Sequence, residues 1–195
     1  ELARRHENDG GLRNAVTLHG MLAISRKDPG GAVRLLEDAL AIARRLGPGW
    51  ILATSMLNLG LARLAADDVP RAREVLAEAL VAYEELADER FRSRCLAYLG
   101  LASLMEDDPT RARALFGQSL FVFGGLAEPA GTAEGLMGIA AVDAATGHET
   151  RAARLAGAGE RLHESYAGGY CRSSSGRRPG TSPSRRVASA RRLGP

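Results

Sequence analysis

The chain has 195 residues, 45% of them apolar and only 5% aromatic, which suits one sizeable core of small aliphatic side chains and one domain at the usual length of about 150 residues. Its net charge of +3 averages two unlike regions: seven of the 26 basic residues and none of the 23 acidic ones lie in 168–195, so residues 1–167 carry a net −4. No apolar run approaches the about 20 residues that cross a bilayer and no secretory leader pattern is present. Cys95 and Cys171, in unlike settings, form neither a disulfide framework nor a metal quartet. A cytoplasmic, all-helical protein with reduced thiols is expected.

Residues 1–10, ELARRHENDG, align with AIARRLGPGW at 41–50, Ala3-Arg4-Arg5 falling on Ala43-Arg44-Arg45. They are therefore expected to be the end of a truncated preceding repeat, inside its second helix. From residue 11 the chain falls into gap-free units of forty, 11–50, 51–90, 91–130 and 131–167. Gly20, Gly60, Gly100 and Ala140 share one column, and Ala32, Ala72, Ala112 and Ala152 another. Leu36, Leu76 and Phe116 follow four residues after those alanines, with Ala39 and Ala79 three further on, the stripe of one helix face. Each unit is thus read as two helices, the first near 11–26, 51–66, 91–106 and 131–146, the second near 31–46, 70–87, 109–126 and 149–166. The small columns are expected to let the two helices of a hairpin cross closely.

Between the helices stand KDPG at 27–30, DDVP at 67–70 and DDPT at 107–110, with GHET at 147–150 as the weakest copy. Asp at or just before the N-cap accepts orphan N–H groups, and Pro fits the first turn, where no N–H is needed. Phe116, Phe121 and Phe123 cluster in the second helix of the third unit, with Phe91 opening that unit, and all are expected to pack inside. In the final stretch, 168–195, Arg, Ser, Gly and Pro supply 21 of 28 residues and no apolar periodicity survives. A disordered basic tail is expected there, with Gly168-Gly169 stopping the last helix. It reads as the product of a shifted reading frame, as a solvated tail, or as an electrostatic arm for nucleic acid or an anionic membrane.

Leu59-Gly60, Ala72, Leu76 and Ala79 follow the small-and-large spacing of tetratricopeptide repeats, in units of forty rather than about thirty-four residues. Over roughly 1–167 the chain resembles that family, which implies a right-handed α-solenoid of helical hairpins whose first helices line a concave face. The last unit, AEGLMGIAAVDAATGHETRAARLAGAGERLHESY, resembles the terminal repeat in the tetratricopeptide-like region of large bacterial signal-transduction ATPases and LuxR-type transcriptional regulators. It departs from them at Gly157 and Gly159, which weaken an otherwise alanine-rich helix by about 1 kcal/mol each. Mapped by column, the resemblance places Asn14, Thr17, Asn58, Arg94, Tyr98 and Glu134 where they would face a groove. It implies a protein partner or small effector on that face, and contacts in cis with an upstream domain.

The residues themselves offer little for catalysis. Lys27, the sole lysine, is followed by Asp, so no phosphate-binding loop exists. His6, His19, His148 and His163 never meet each other or a cysteine at metal-ligand spacing. Asp67-Asp68 and Asp107-Asp108 precede helices and are read as caps rather than paired acids. No nucleophile elbow is present. The leading reading is a non-catalytic binding module with no cofactor, no metal and no membrane contact, the sensor part of a larger regulator. A free-standing scaffold of the same fold is the alternative, and nucleic-acid binding through the tail ranks third.

Overall fold

A computed structural model of the protein describes the backbone of residues 2–174 and the side chains of 9–166. Eight helices follow one another: α1 (Leu2–Ser25), α2 (Pro29–Leu46), α3 (Trp50–Ala65), α4 (Val69–Glu85), α5 (Glu89–Met105), α6 (Pro109–Gly125), α7 (Pro129–Ala145) and α8 (Glu149–Ser174). No strand occurs among the described residues. Each helix packs on the next, and α1 also meets α3, α3 meets α5 and α5 meets α7. Among the described residues the backbones of the even-numbered helices do not approach one another, and the first hairpin does not approach the fourth. The protein is therefore an all-α repeat solenoid rather than a closed bundle.

Every connection is three residues long, and six of the seven share one construction. Lys27, Asp67, Ala87, Asp107, Ala127 and Gly147 adopt positive φ, between 51° and 79°, so the structural period is twenty residues, half that of the sequence repeat. At each, two N–H groups turn back to carbonyls left over by the finished helix. Asp28 N–H donates to the Ala23 carbonyl at 2.9 Å and Lys27 N–H to the Ile24 carbonyl at 3.0 Å, a pattern that closes a helix C-terminus. The residue after the positive-φ position then opens the next helix. The Asp28, Asp88 and Asp108 carboxylates accept from Gly31 N–H (2.9 Å), Phe91 N–H (3.1 Å) and Arg111 N–H (2.9 Å), and Glu128 accepts from Gly131 N–H at 2.5 Å. Asp68 holds the N-cap position without such a bond and pairs with Arg71 at 3.3 Å. Prolines stand in the first turn of α2, α4, α6 and α7. The exception is Gly47-Pro48-Gly49, which joins the first two hairpins through φ values of 99° and 126° at its glycines.

The small columns act as sockets. A methyl group on Gly20 would lie 2.6 Å from Leu36 Cγ, and one on Gly60 2.5 Å from Leu76 Cγ. Gly100 bears in the same way on the Phe116 ring, at 3.2 Å. Each large residue of the second helix thus seats in a gap of the first. Ala32, Ala72 and Ala112 are fully buried and Ala152 nearly so. The central core gathers Leu57, Leu76, Ala79, Tyr83, Cys95 and Leu99, and burial pushes the Cys95 thiol up to about 12, leaving it unreactive at neutral pH. Gly159 serves α8 as Gly60 serves α3, since a methyl there would stand 2.9 Å from Met137 Cγ and 3.1 Å from the Ala133 carbonyl. The residue that lowers helix propensity is what allows α8 to lie on α7.

Three expectations are corrected. The break expected between residues 10 and 11 is absent, because α1 runs unbroken from Leu2 to Ser25; the stretch NDGG lacks the positive φ found at every true connection. Helix α8 likewise passes through Gly168-Gly169 to Ser174, since two glycines weaken a helix without obliging it to end. Of the tail expectation at 168–195, residues 175–195 lie outside the described residues. Finally, Phe116 and Phe123 are buried but Phe121 is 82% exposed, two residues from Phe123 and on the opposite side of α6.

Candidate functional site

Arg94, Tyr98 and Glu134 come together where α5 meets α7. Arg94 and Tyr98 are four apart and share one side of α5, while Glu134 occupies on α7 the column that Arg94 occupies on α5. Arg94 Nε stands 3.6 Å from Glu134 Oε2, an ion pair longer than a hydrogen bond. Burial pushes the Tyr98 phenol up to about 12, with the Glu134 charge adding to the effect and Arg94 opposing it. Partial desolvation beside the cleft also raises Glu134 above the ordinary carboxylate range, more than Arg94 offsets, although its side chain remains 44% exposed. The pair therefore sits in a partly desolvated place without the close bonding that would lock it.

Beside it opens a cleft of about 310 Å³ lined by Tyr98, Leu101, Phe116, Glu134, Met137 and Gly138, with Ala97 and Ala141. A methyl on Gly138 would lie 2.3 Å from Phe116 Cδ1, so the bare glycine is what admits that ring. The walls are apolar, and one phenol and one carboxylate at their edge give orientation. Such a site suits binding of an apolar side chain.

An aromatic cluster fixes the N-terminal end of α5. Phe91 stacks on Tyr83 with ring centroids 5.3 Å apart and meets Trp50 edge-on at 5.4 Å, while Arg90 and Arg94 lie 5.8 and 5.9 Å above its ring. Trp50 Nε1–H donates to Asp88 at 3.3 Å, the Tyr83 and Thr54 hydroxyls bond at 2.9 Å, and Arg90 pairs with Glu128 at 3.0 Å. Arg94 thus leaves α5 from a braced base.

The other three sequence-derived positions do not join this cleft. Asn14 is exposed and Thr17 half-buried on α1, and Asn58 is half-buried on α3; none of them lines it. The Thr17 hydroxyl oxygen is buried with no hydrogen-bond partner. What sequence reasoning missed is the rest of the lining: Leu101, Met137 and Ala141 continue the same stripes by one turn, so helical spacing carried forward from Arg94 and Glu134 reaches them.

Asp143 was also missed. It is fully buried on α7 and accepts from Arg113 Nη2 at 2.5 Å and from Arg151 Nε and Nη2 at 2.5 and 2.6 Å. Two hydrogen bonds from Arg151, with one from Arg113, hold its carboxyl well below the usual carboxylate range against the effect of burial. The two guanidiniums shield it from water while remaining partly exposed themselves. The result ties α6, α7 and α8 together. Among the described residues no group of three or more His, Cys, Asp or Glu is placed to hold a metal, and no helix is long and apolar enough to cross a membrane.

Comparison with known proteins agrees with this geometry. The tetratricopeptide repeat family model matches residues 12–85. No curated protein sequence matches the chain. Among solved structures, BtubC (BKLC) from P. vanneervenii superposes with a TM-score of 0.64 at 20% identity, covering 94% of this chain and 72% of that one. The nearly identical TPR-like repeats of a Podosopora anserina protein assigned as a kinesin light chain superpose with a TM-score of 0.56 at 14% identity, covering 78% of this chain and 95% of theirs. At these identities the likeness is one of fold: the chain is a solenoid of tetratricopeptide-like helical hairpins.

Proposed function

We propose that the protein is a non-catalytic recognition module that takes a protein partner on the face formed by its odd-numbered helices, with the α5–α7 cleft as the anchor for an apolar side chain. Tetratricopeptide repeats generally mediate protein–protein contact, and the observation that carries the reading is the apolar cleft beside the loosely held Arg94–Glu134 pair. The contacts α1–α3, α3–α5 and α5–α7, with none between even helices, support the odd helices as the concave side. Asn14, Thr17 and Asn58 extend that side beyond the cleft. The module serves as the sensor of a larger bacterial regulator, a reading supported by the resemblance of the last unit to such proteins and tested by sequencing the flanking reading frame for a nucleotide-binding switch or helix-turn-helix domain.

Random peptides displayed on phage and panned against the full chain test the site. Enriched peptides should share an apolar anchor residue and bind Met137→Glu at least about tenfold more weakly, the loss expected at a central anchor. Met137 is 48% exposed but its Cγ also lies against Gly159 of α8, so the melting temperature of the variant is measured beside its binding. Peptides that bind Met137→Glu as tightly as the parent would place recognition elsewhere.

A further inference from the structure

The side of each even helix that faces away from the odd helices carries charge along its length in three hairpins, whereas on α6 it is uncharged beyond Arg111 in the first turn. On α2 it carries Arg34, Glu37, Asp38, Arg44 and Arg45; on α4, Glu74, Glu78, Glu84 and Glu85; on α8, Arg154, Arg161 and Glu164. The same columns on α6 hold Ala114, Gly117, Gln118, Phe121, Gly124 and Gly125, all exposed. The three glycines have no internal purpose. Nothing lies within 4 Å of a methyl built on any of them, and none adopts positive φ, although each costs the helix about 1 kcal/mol in propensity. Phe121 projects from their midst at 82% exposure. Beside it runs a cleft of about 350 Å³ lined by Arg92, Leu96, Gly117, Gln118, Phe121 and Val122.

A knob and a hole adjacent on one surface are what a twofold contact requires, since the same patch must serve both copies. We propose that α6 is the contact face of a homodimer, in which each copy's Phe121 enters the cleft between Leu96, Gly117 and Val122 of the other. The glycines allow the two helices to approach closely. Charge fixes how the copies lie. With the twofold axis running along α6, the flanking α4 of one copy, acidic on its outer side, comes over α8 of the other, where Arg154 and Arg161 outnumber Glu164. With the axis across α6, the two acidic α4 faces would oppose each other. The first arrangement is the favoured one. This contact is separate from the α5–α7 cleft, so either site functions without the other.

Sedimentation equilibrium of the full chain tests the proposal. The weight-average mass should rise from near the chain mass of 20.6 kDa toward twice that value as concentration increases to about 100 µM, the range of a small interface. Phe121→Glu should weaken the dimer at least about tenfold without shifting the melting temperature measured at a concentration where both proteins are monomeric. Glu78→Arg should weaken it and the added Arg161→Glu should restore it, which a merely structural effect of either change would not do. A parent chain that stays monomeric throughout overturns the proposal and leaves the face to a different protein. A dimer indifferent to Phe121→Glu overturns it as well, and failure of the charge reversal to restore association overturns the proposed arrangement of the copies.

Discussion

Helix α7 carries two carboxylates nine residues apart, and their surroundings have opposite effects on them. Asp143 receives three charge-assisted bonds from Arg113 and Arg151 and is held ionised. Glu134 faces one guanidinium at 3.6 Å beside an apolar cleft, and partial desolvation draws it toward neutrality. A helix can thus use one residue type to lock itself to its neighbours at one end and to keep a group available at the other. The number and closeness of the donors decide which occurs.

The largest effect that separates the two comes from Asp143→Ala, which leaves two guanidiniums facing each other without their acceptor. Thermal unfolding should show a loss on the order of 10 °C at neutral pH. The acid dependence has a definite sign. Asp143 is depressed in the fold, so its contribution is full above the ordinary carboxylate value of 3.8 and is lost as pH falls below it. Glu134 is raised in the fold, so its ionisation disfavours folding as pH climbs through the ordinary range, and protonation removes that penalty. Melting curves between about pH 2 and 7 should therefore find the deficit of Asp143→Ala narrowing below the ordinary carboxylate value, while the advantage of Glu134→Gln over the parent is greatest near neutrality and shrinks in acid. Parallel curves for all three would erase the distinction.

An intermediate effect isolates packing from charge. Ala72 and Ala112 have no exposed surface, so Ala72→Leu and Ala112→Leu should each cost about 1–3 kcal/mol by forcing a hairpin apart. Arg94→Ala, which removes the long ion pair and the contact over the Phe91 ring, should cost at most about 1 kcal/mol. Equal shifts in denaturant midpoint for the three would mean that the cleft side is as tightly tied as the hairpin cores.

The smallest effect is spectroscopic. Glu134 adds to the rise of the Tyr98 phenol, so Glu134→Gln should bring the Tyr98 titration measurably below about 12 in ultraviolet absorbance. The same change should leave Tyr83, raised chiefly by its own burial, where it was. A Tyr98 titration unmoved by Glu134→Gln would show that the two groups do not share the cleft.

Much of the fold was legible because the repeat makes the chain its own control. Gly20, Gly60 and Gly100 share a column, and so do the residues they receive, Leu36, Leu76 and Phe116. The first turns were legible from Asp and Pro. Features that no column repeats were harder to read. Asp143 shares its column with Arg63 and Ser103, so nothing there announces a carboxylate or its two arginines. Ala87 and Ala127 adopt positive φ without the glycine or asparagine that usually marks it, because the two carbonyl-directed bonds around each determine the backbone. Of the candidate face, Arg94, Tyr98 and Glu134 converge, whereas Asn14, Thr17 and Asn58 share only their columns. Column position specifies which side of a helix a residue occupies but not whether its neighbours leave a cavity.

The three-residue connections leave the chain no slack. One residue, such as Asp28 or Asp108, completes the helix behind it and opens the one ahead, so a single inserted residue has no loop to absorb it. Within a helix it would turn everything downstream by about 100° and swing each glycine socket away from its leucine or phenylalanine. A gene for such a protein can lengthen or shorten safely only in whole steps of one hairpin, and the gap-free register from residue 11 through four units is the record that such a restriction leaves.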